Sequence, residues 1–194
     1  MKMNNVDLIA LGPGTHMNWL LGFNPFPDER PCMLLIGKEK EAFLMPSVNA
    51  EDAKKRTDIA INSWKDENGP DQALKEALLY IGESSAKHIA IDEAMRSHFA
   101  LLLLESLSNP TYEFTTSTVG ALRMRKNQNE FVNLKENALI DDRAMQAGFA
   151  AIKEGVTELE IGEIEAESNL GNSAKKIQKK NKIFKIENVI LKYK

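Results

Sequence analysis

Segments of strand character alternate with segments of helical character along this sequence, and this alternation limits the fold more than any other feature. The alternation is clearest in five consecutive segments, which predict strand, helix, strand, helix and strand over residues 59–64, 70–81, 87–92, 93–107 and 112–118. Pro70 suits the first position of its helix, and Gly82 ends that helix. Because such alternation places helices against the faces of a sheet, we expect an α/β domain.

The first sixty residues add shorter strands to the predicted sheet. Residues 6–11 form an apolar run that ends at Gly12-Pro13-Gly14 and predicts a buried strand. Residues 32–36 and 42–45 flank a polar Gly-Lys-Glu-Lys turn and predict a hairpin. We therefore expect a mixed sheet of five or six strands, flanked by helices.

The character of the sequence changes after residue 122. Asn127 and Glu130 have the spacing of a capping box, and they precede a long helix whose apolar residues recur at helical spacing, namely Phe131, Leu134, Ala138, Met145, Phe149 and Ile152. Thr157 and Glu160 repeat the capping-box spacing and predict a shorter second helix. We expect an α/β domain over residues 1–122, a linker helix with the start of a second domain over 123–167, and a tail over 168–194.

Composition narrows the functional class. No apolar run approaches the ~20 residues that a membrane-spanning helix needs, and the N-terminus lacks a signal peptide, so we expect no membrane contact and a cytoplasmic protein. The single cysteine, Cys32, precedes a run of apolar residues and is expected to be a small core residue.

Charge divides the chain unevenly. Residues 171–194 carry a net charge of +7, against −10 for the rest of the chain. The acidic body argues against a nucleic-acid partner. The Lys-, Asn- and Ile-rich tail is expected to be disordered. Three explanations for the composition of this tail stay open: a frameshift or premature junction, a divergent C-terminus, or a basic segment that binds an anionic membrane or nucleic acid.

Three segments resemble the creatinase, prolidase (Xaa-Pro dipeptidase) and aminopeptidase P family. The first is DLIALGPGTHMNWLLGF at residues 7–23, and the second is the strand pair MLLIG and AFLMP. The third, LRMRKNQNEFVNLKENALIDDRAMQAGFAAIKEGVTELEI at residues 122–161, is the most specific. It resembles the junction between the family's N-terminal domain and its "pita-bread" catalytic domain.

The resemblance implies that the catalytic half is not part of this sequence. Members of the family hold a pair of divalent metal ions, such as manganese or cobalt, in that half, where the metals activate water and polarise the scissile carbonyl. No matching motif occurs here, and the three histidines have no metal-ligand spacing. We therefore predict no catalytic residue, no metal ligand and no cofactor in this chain. The family also usually opens with a helix before the first strand, so we expect one face of the sheet to be partly uncovered.

The resemblance further implies a role in subunit contacts, because one subunit's N-terminal domain can close over a neighbour's active-site cleft. The segment 16–30 is the candidate for this role, with His16, Trp19, Phe23, Phe26 and Arg30 as candidate interface residues. The alternative is that Trp19 and Phe23 belong to the core and Phe26 covers a proline-rich loop.

Three functions stay open at this point. The chain is a non-catalytic domain that self-associates, or one piece of a split Xaa-Pro peptidase whose partner is a separate catalytic domain, or a binding module that uses its basic tail. The substrate of the parent enzyme, whether an Xaa-Pro peptide, creatine or another small metabolite, does not follow from these residues.

Overall fold

The computed structural model describes residue 1 and residues 4–177, with side chains through residue 168. The strands are β1 (Leu8–Leu11), β2 (Met33–Ile36), β3 (Glu41–Pro46), β4 (Ala60–Trp64), β5 (His88–Ile91) and β6 (Thr111–Phe114). The helices are α1 (Thr15–Leu21), α2 (Ser47–Lys54), α3 (Asp71–Ile81), α4 (Ser97–Glu105), α5 (Val119–Met124), α6 (Gln128–Ala151) and α7 (Glu158–Ile177). This part of the chain divides into two compact units, Met1–Met124 and a helical unit that begins at Arg125.

The six strands form one mixed sheet in the order β4-β3-β2-β1-β5-β6. The hairpin predicted around residues 37–40 is confirmed, since β2 and β3 pair antiparallel with Met33 opposite Leu44. Strand β1 pairs antiparallel with β2 but parallel with β5, and β5 pairs parallel with β6. The carboxyl ends of β1, β5 and β6 therefore lie at the same edge of the sheet. The predicted α/β class with a mixed sheet is confirmed.

Both faces of the sheet are covered over its central strands. Alternate residues of β1 point to opposite faces, so that Leu8 and Ala10 join the core beneath α3 and α4. Ile9 and Leu11 join the core on the other face, which α1, α2 and α5 contribute to. No uncovered face is found over these strands, since the residues of β1 and β2 are buried on both faces. At the edge strand β6, Tyr112 and Phe114 are 63% and 61% exposed. Cys32 is 1% exposed within the core on the second face, as predicted.

Two of the wrongly predicted element boundaries lie near the polar residues at one end of the sheet. Helix α4 begins at Ser97 rather than at residue 93, because the carboxylate of Asp92 accepts a hydrogen bond from the N–H of Ala94 and holds a turn there. Strand β6 stops at Phe114 rather than at residue 118, where a short 3-10 turn, Thr115–Ser117, leads into α5. Both boundaries lie at the sheet edge where the carboxyl ends of β1, β5 and β6 meet.

The helical unit is a pair of packed helices. Helix α6 has 24 residues and begins with the predicted capping box, in which Asn127 accepts from the N–H of Glu130 and Glu130 accepts from the N–H of Asn127. The predicted box at Thr157 and Glu160 also forms. Gly148 lies against α7, where a Cβ atom at this position would overlap the side chain of Glu165. A small residue here therefore allows the two helices to approach closely.

Helix α7 continues to Ile177 and so includes the first ten residues of the segment 168–194 that we predicted to be a tail. The rest of the predicted tail, residues 178–194, lies outside the described residues. Within the described residues, no helix is both long and apolar enough to cross a membrane.

Candidate functional site

Helix α1 and the segment that follows it carry all five candidate interface residues. Gly22 ends the helix in the left-handed conformation (φ 73°), with its N–H bonded to the carbonyl oxygen of Asn18. His16 and Phe23 are buried, and Trp19 is half-buried against the core. Phe26, in contrast, is 78% exposed. The sequence-based set thus separates into residues that anchor the segment and one aromatic residue that it presents.

The segment is tied to the domain at both of its ends. The side-chain oxygen of Asn24 accepts a hydrogen bond of 2.7 Å from the N–H of Gly14. At the other end, the guanidinium of Arg30 lies 3.2 Å from the carboxylate of Asp66. These ties fix the position from which Phe26 projects.

A groove of about 400 Å³ runs between this segment and α2. Phe26 and Val48 line it and are 78% and 67% exposed. Asp52 and Arg56 also line it and form an ion pair of 3.1 Å with each other. The surface therefore combines apolar side chains with charged groups, which is the usual mixture at protein–protein interfaces.

His16 is the centre of a polar network that joins four parts of the domain. Its Nε2 lies 3.4 Å from Oε1 of Glu93 and 3.4 Å from Oγ1 of Thr115. Its Nδ1 lies 3.2 Å from Nη1 of Arg123. The hydroxyl of Thr115 donates a 2.6 Å hydrogen bond to Oε2 of Glu93. The network connects α1 to the ends of β5 and β6 and to α5.

The arginine determines the tautomer of His16. A guanidinium can only donate hydrogen bonds, so Nδ1 of His16 accepts from Arg123. In a neutral ring the proton then resides on Nε2, which donates to Glu93 and to the hydroxyl oxygen of Thr115. Both ring nitrogens then have hydrogen-bond partners. This explains how a histidine that is only 6% exposed is accommodated in the domain.

The carboxylates beside His16 differ in environment. Burial raises the pKa of Asp92 above its usual value, although the N–H of Ala94 opposes this by donating to the carboxylate. Burial would also raise the pKa of Glu93, but the hydrogen bonds that it accepts from Thr115, from its own backbone N–H and from His16 outweigh this, and its pKa lies below the usual value. Glu93 is therefore the negative end of the network at neutral pH.

The network does not fit a metal ion. His16, Asp92 and Glu93 each bring a ligand atom within 4.8 Å of the others, which is the spacing of a small cation site. A metal bound to Nε2 would require the ring proton on Nδ1, yet Nδ1 faces the obligate donor Arg123. The positive charge of Arg123 would add repulsion. We therefore assign these residues to a hydrogen-bonded structural network.

The sequence-based reasoning identified His16 but not its partners. Glu93 and Thr115 lie 77 and 99 residues away from it, so no local spacing joins the three. The available signal for Glu93 was its position directly after a predicted strand, because polar groups collect at the carboxyl ends of parallel strands. Thr115 had no such signal, because the sequence predicted it to lie within the strand 112–118. The other two histidines have different partners: His88 bonds to the hydroxyl of Thr111, and His98 bonds to the carbonyl oxygen of Glu29.

The fold and the anchored segment define an α/β N-terminal domain followed by a helical junction, and comparison with known proteins agrees. The model of the creatinase/prolidase N-terminal domain matches residues 1–125. The chain therefore belongs to the creatinase/prolidase N-terminal domain family, which is what the three sequence segments predicted.

Two of the similar proteins are much longer than this chain, and a third is a domain of comparable extent. An Xaa-Pro dipeptidase of Lactobacillus delbrueckii subsp. lactis is 26% identical over 171 residues, which cover 81% of this chain and 44% of the relative. The structure of dipeptidase PepE from Mycobacterium ulcerans has a TM-score of 0.75 at 20% identity, covering 88% of this chain and 46% of that one. A creatinase/prolidase N-terminal domain from Streptococcus pyogenes has a TM-score of 0.54 at 17% identity, covering 60% of this chain and 87% of that one. The chain thus spans less than half the length of the Lactobacillus and Mycobacterium dipeptidases.

Proposed function

We propose that this chain is a non-catalytic domain that acts through protein contacts, by self-association and by covering the active-site cleft of a neighbouring Xaa-Pro peptidase subunit. The exposed Phe26 beside the groove of α2 carries this proposal. A large aromatic side chain that is 78% exposed and lies on an anchored segment is typical of an interface residue.

The polar network and the two ties support the same role. Asn24 and Arg30 hold the ends of the segment, and His16 holds the helix that precedes it. A surface that is held in its bound shape loses less conformational freedom on association. His16, Trp19, Phe23 and Arg30 would act as positioning residues, whereas Phe26 would make the contact.

The proposal is tested by the self-association of the purified chain, measured by sedimentation equilibrium. We expect a concentration-dependent dimer that Phe26→Ser weakens at least tenfold. Leu79→Ser is the matched control, because Leu79 is also a large exposed side chain (73%) but lies on α3. Equal effects of the two substitutions, or a strictly monomeric wild-type chain, would contradict a contact through Phe26.

A second candidate function is one piece of a split Xaa-Pro peptidase. It is favoured by the length of the relatives, since the matched part is 44% of the Lactobacillus enzyme. In this case two divalent metals would be held by the separate catalytic piece, and they would supply the activated water when bound. Xaa-Pro hydrolysis that appears only when the chain and that piece are combined would favour this candidate, whereas a piece that is active by itself and only stimulated by the chain would favour the first.

The third candidate, binding through the basic tail, concerns residues outside the described part of the chain. Strongly salt-dependent binding to DNA or anionic vesicles that is lost on deletion of residues 171–194 would support it. The cytoplasm remains the compartment that we propose, on the sequence observations alone.

A further inference from the structure

Helix α2 and the two residues after it carry their charges in an order that a second copy of the same segment can match. Two acidic residues come first, and three basic residues follow them, namely Glu51 and Asp52, then Lys54, Lys55 and Arg56. All five are exposed. When two such segments lie antiparallel, the acidic part of each faces the basic part of the other. The segment is therefore complementary to itself in charge.

One side of this segment faces the groove beside Phe26. Val48, Asp52 and Arg56 recur every four residues, and all three line the groove. The side chains of Asp52 and Arg56 are 65% and 55% exposed, although they form an ion pair with each other. An ion pair that is this exposed contributes little to the stability of one chain, because water screens both charges. Each member can therefore exchange its partner for the equivalent group of a second chain at little cost.

The groove also includes a polar group that lacks a partner. Asn49 lines the groove, and its Nδ2 atom is buried and makes no hydrogen bond with any residue that the structure describes. A buried donor without an acceptor is unfavourable, because it has lost its contact with water and has gained no bond in exchange. An occupant that brings an oxygen atom to Asn49 would remove this penalty. A protein segment carries such an oxygen at every peptide unit.

A second copy of this chain suits the groove better than a nucleic acid does. The chain outside residues 171–194 carries a net charge of −10, whereas the segment 47–56 holds two acids and three bases. Two acidic bodies therefore approach each other with least repulsion where these segments meet. A nucleic acid would attract Arg56 but would be repelled by Asp52 beside it. The antiparallel copy offers an opposite charge to both.

We propose that the groove binds a second copy of this chain, related to the first by a two-fold axis, with the two α2 helices antiparallel. Asp52 of each copy pairs with Arg56 of the other, so that two ion pairs within chains are exchanged for two between chains. The exposed Phe26 and Val48 of each copy are covered by the other copy, which also supplies the acceptor for Asn49. The inference rests on the self-association in the proposed function, and adds the geometry of the contact and the residues that determine its register.

Two charge reversals test this exchange. Asp52→Arg makes residues 52 and 56 both basic, and Arg56→Asp makes them both acidic, so that each variant repels its own copy. In sedimentation equilibrium we expect each variant alone to self-associate about tenfold more weakly than the wild type. An equimolar mixture, with one variant fluorescently labelled, should form a heterodimer about as tight as the wild-type dimer. The mixture restores ion pairs only between chains, because both variants have lost the pair within the chain.

Asp71→Arg and Lys75→Asp on α3 are the matched controls, because they make the same changes of charge at two exposed residues that are four apart. Neither should alter self-association. The proposal is overturned if the mixture of the α2 variants does not associate, or if the α3 pair behaves in the same way, since net charge alone would then explain the result.

Phe26→Ser separates this inference from the proposed function. If Phe26→Ser weakens the dimer and the charge reversals on α2 do not, the proposed function stands and the antiparallel contact is wrong. If the mixed α2 variants associate and Phe26→Ser has no effect, the contact through α2 stands and the role of Phe26 is wrong.

Discussion

At the residue scale, this domain uses a buried histidine as a structural hydrogen-bonding group. Arg123 donates to one ring nitrogen of His16, and the other nitrogen donates to Glu93 and Thr115. All four side chains have hydrogen-bond partners within the network, so none of them is buried with its polar group unsatisfied. The same donor pattern excludes the metal site that the grouping of His16, Asp92 and Glu93 would otherwise suggest.

Removal of the Thr115 hydroxyl tests the network. Thr115→Val keeps the shape of a fully buried side chain but leaves Glu93 without its 2.6 Å hydrogen bond. Because Glu93 is partly exposed and water can replace the donor, we expect the free energy of unfolding to fall by about 1 kcal/mol. Urea denaturation measures the change. In a Glu93→Ala background the same substitution should cost less, because the partner of the hydroxyl is then absent. An equal loss in both backgrounds would contradict the assignment.

A second residue-scale prediction concerns Asp7 and pH. The ammonium of Lys38 donates to Asp7 at 2.6 Å, and together with the N–H groups of Lys87 and His88 it lowers the pKa of Asp7 from 3.8 to about 2 despite the opposing effect of burial. A carboxylate with a lowered pKa stabilises the fold above its unfolded value. That stability is lost as the pH falls through the window from 4 to 2.

Thermal unfolding between pH 6 and pH 2 measures this contribution. We expect Asp7→Asn to be less stable than the wild type at pH 6 and the difference to shrink as the pH approaches 2. A difference that stays constant over this range would show that the charge of Asp7 does not contribute.

At the element scale, α6 has two different sides. The line through Gly148 packs on α7, whereas the large apolar residues Phe131, Leu134, Met145 and Phe149 are exposed. Periodicity in the sequence predicted the helix and its repeated apolar residues, but did not reveal that these residues face solvent. A repeat of apolar residues indicates that one face of the helix is apolar. Which element packs against that face depends on the tertiary structure.

The contact between α6 and α7 is tested at Gly148. Gly148→Ala requires only that the flexible Glu165 side chain swing away, so we expect a small effect. Gly148→Leu must separate the helices and should destabilise the helical unit by about 1–3 kcal/mol. Hydrogen exchange resolves the unit that begins at Arg125 from Met1–Met124, which should be unchanged.

Gly162 on α7 is the matched control, because no atom lies within 4 Å of a Cβ at that position. Gly162→Ala should stabilise the helix by about 0.5–1 kcal/mol, since alanine favours helix more than glycine does. If Gly148→Leu were as harmless as Gly162→Ala, the close approach of the two helices would be disproved.

At the scale of the whole molecule, the sequence predicted the class of fold but not the contacts between distant segments. The hairpin around residues 37–40 and the two capping boxes depend on neighbouring residues, and all three are confirmed. The end of β6 depends on Thr115, whose side chain bonds to groups on α1 and after β5. Local propensity favours a strand through these threonines, and the tertiary hydrogen bonds override it.

The candidate site, too, has a part that the sequence predicted and a part that it did not. The sequence identified the segment that presents Phe26, because its aromatic and proline residues are adjacent in the chain. It did not identify the His16 network, because the three partners come from three other elements. Sheet topology, which sets the carboxyl ends of β1, β5 and β6 side by side, was needed to bring them together.

The most direct test of the central claim is a hydrolysis assay on Xaa-Pro dipeptides in the presence of manganese. The chain is assayed by itself and after co-expression with the remainder of the Lactobacillus dipeptidase, which is the part of that enzyme outside the match. If the chain acts through contacts rather than chemistry, it has no activity alone and raises the activity of the remainder when the two are combined. Metal-dependent hydrolysis by the chain alone would contradict this account, and so would activity of the remainder that the chain does not change.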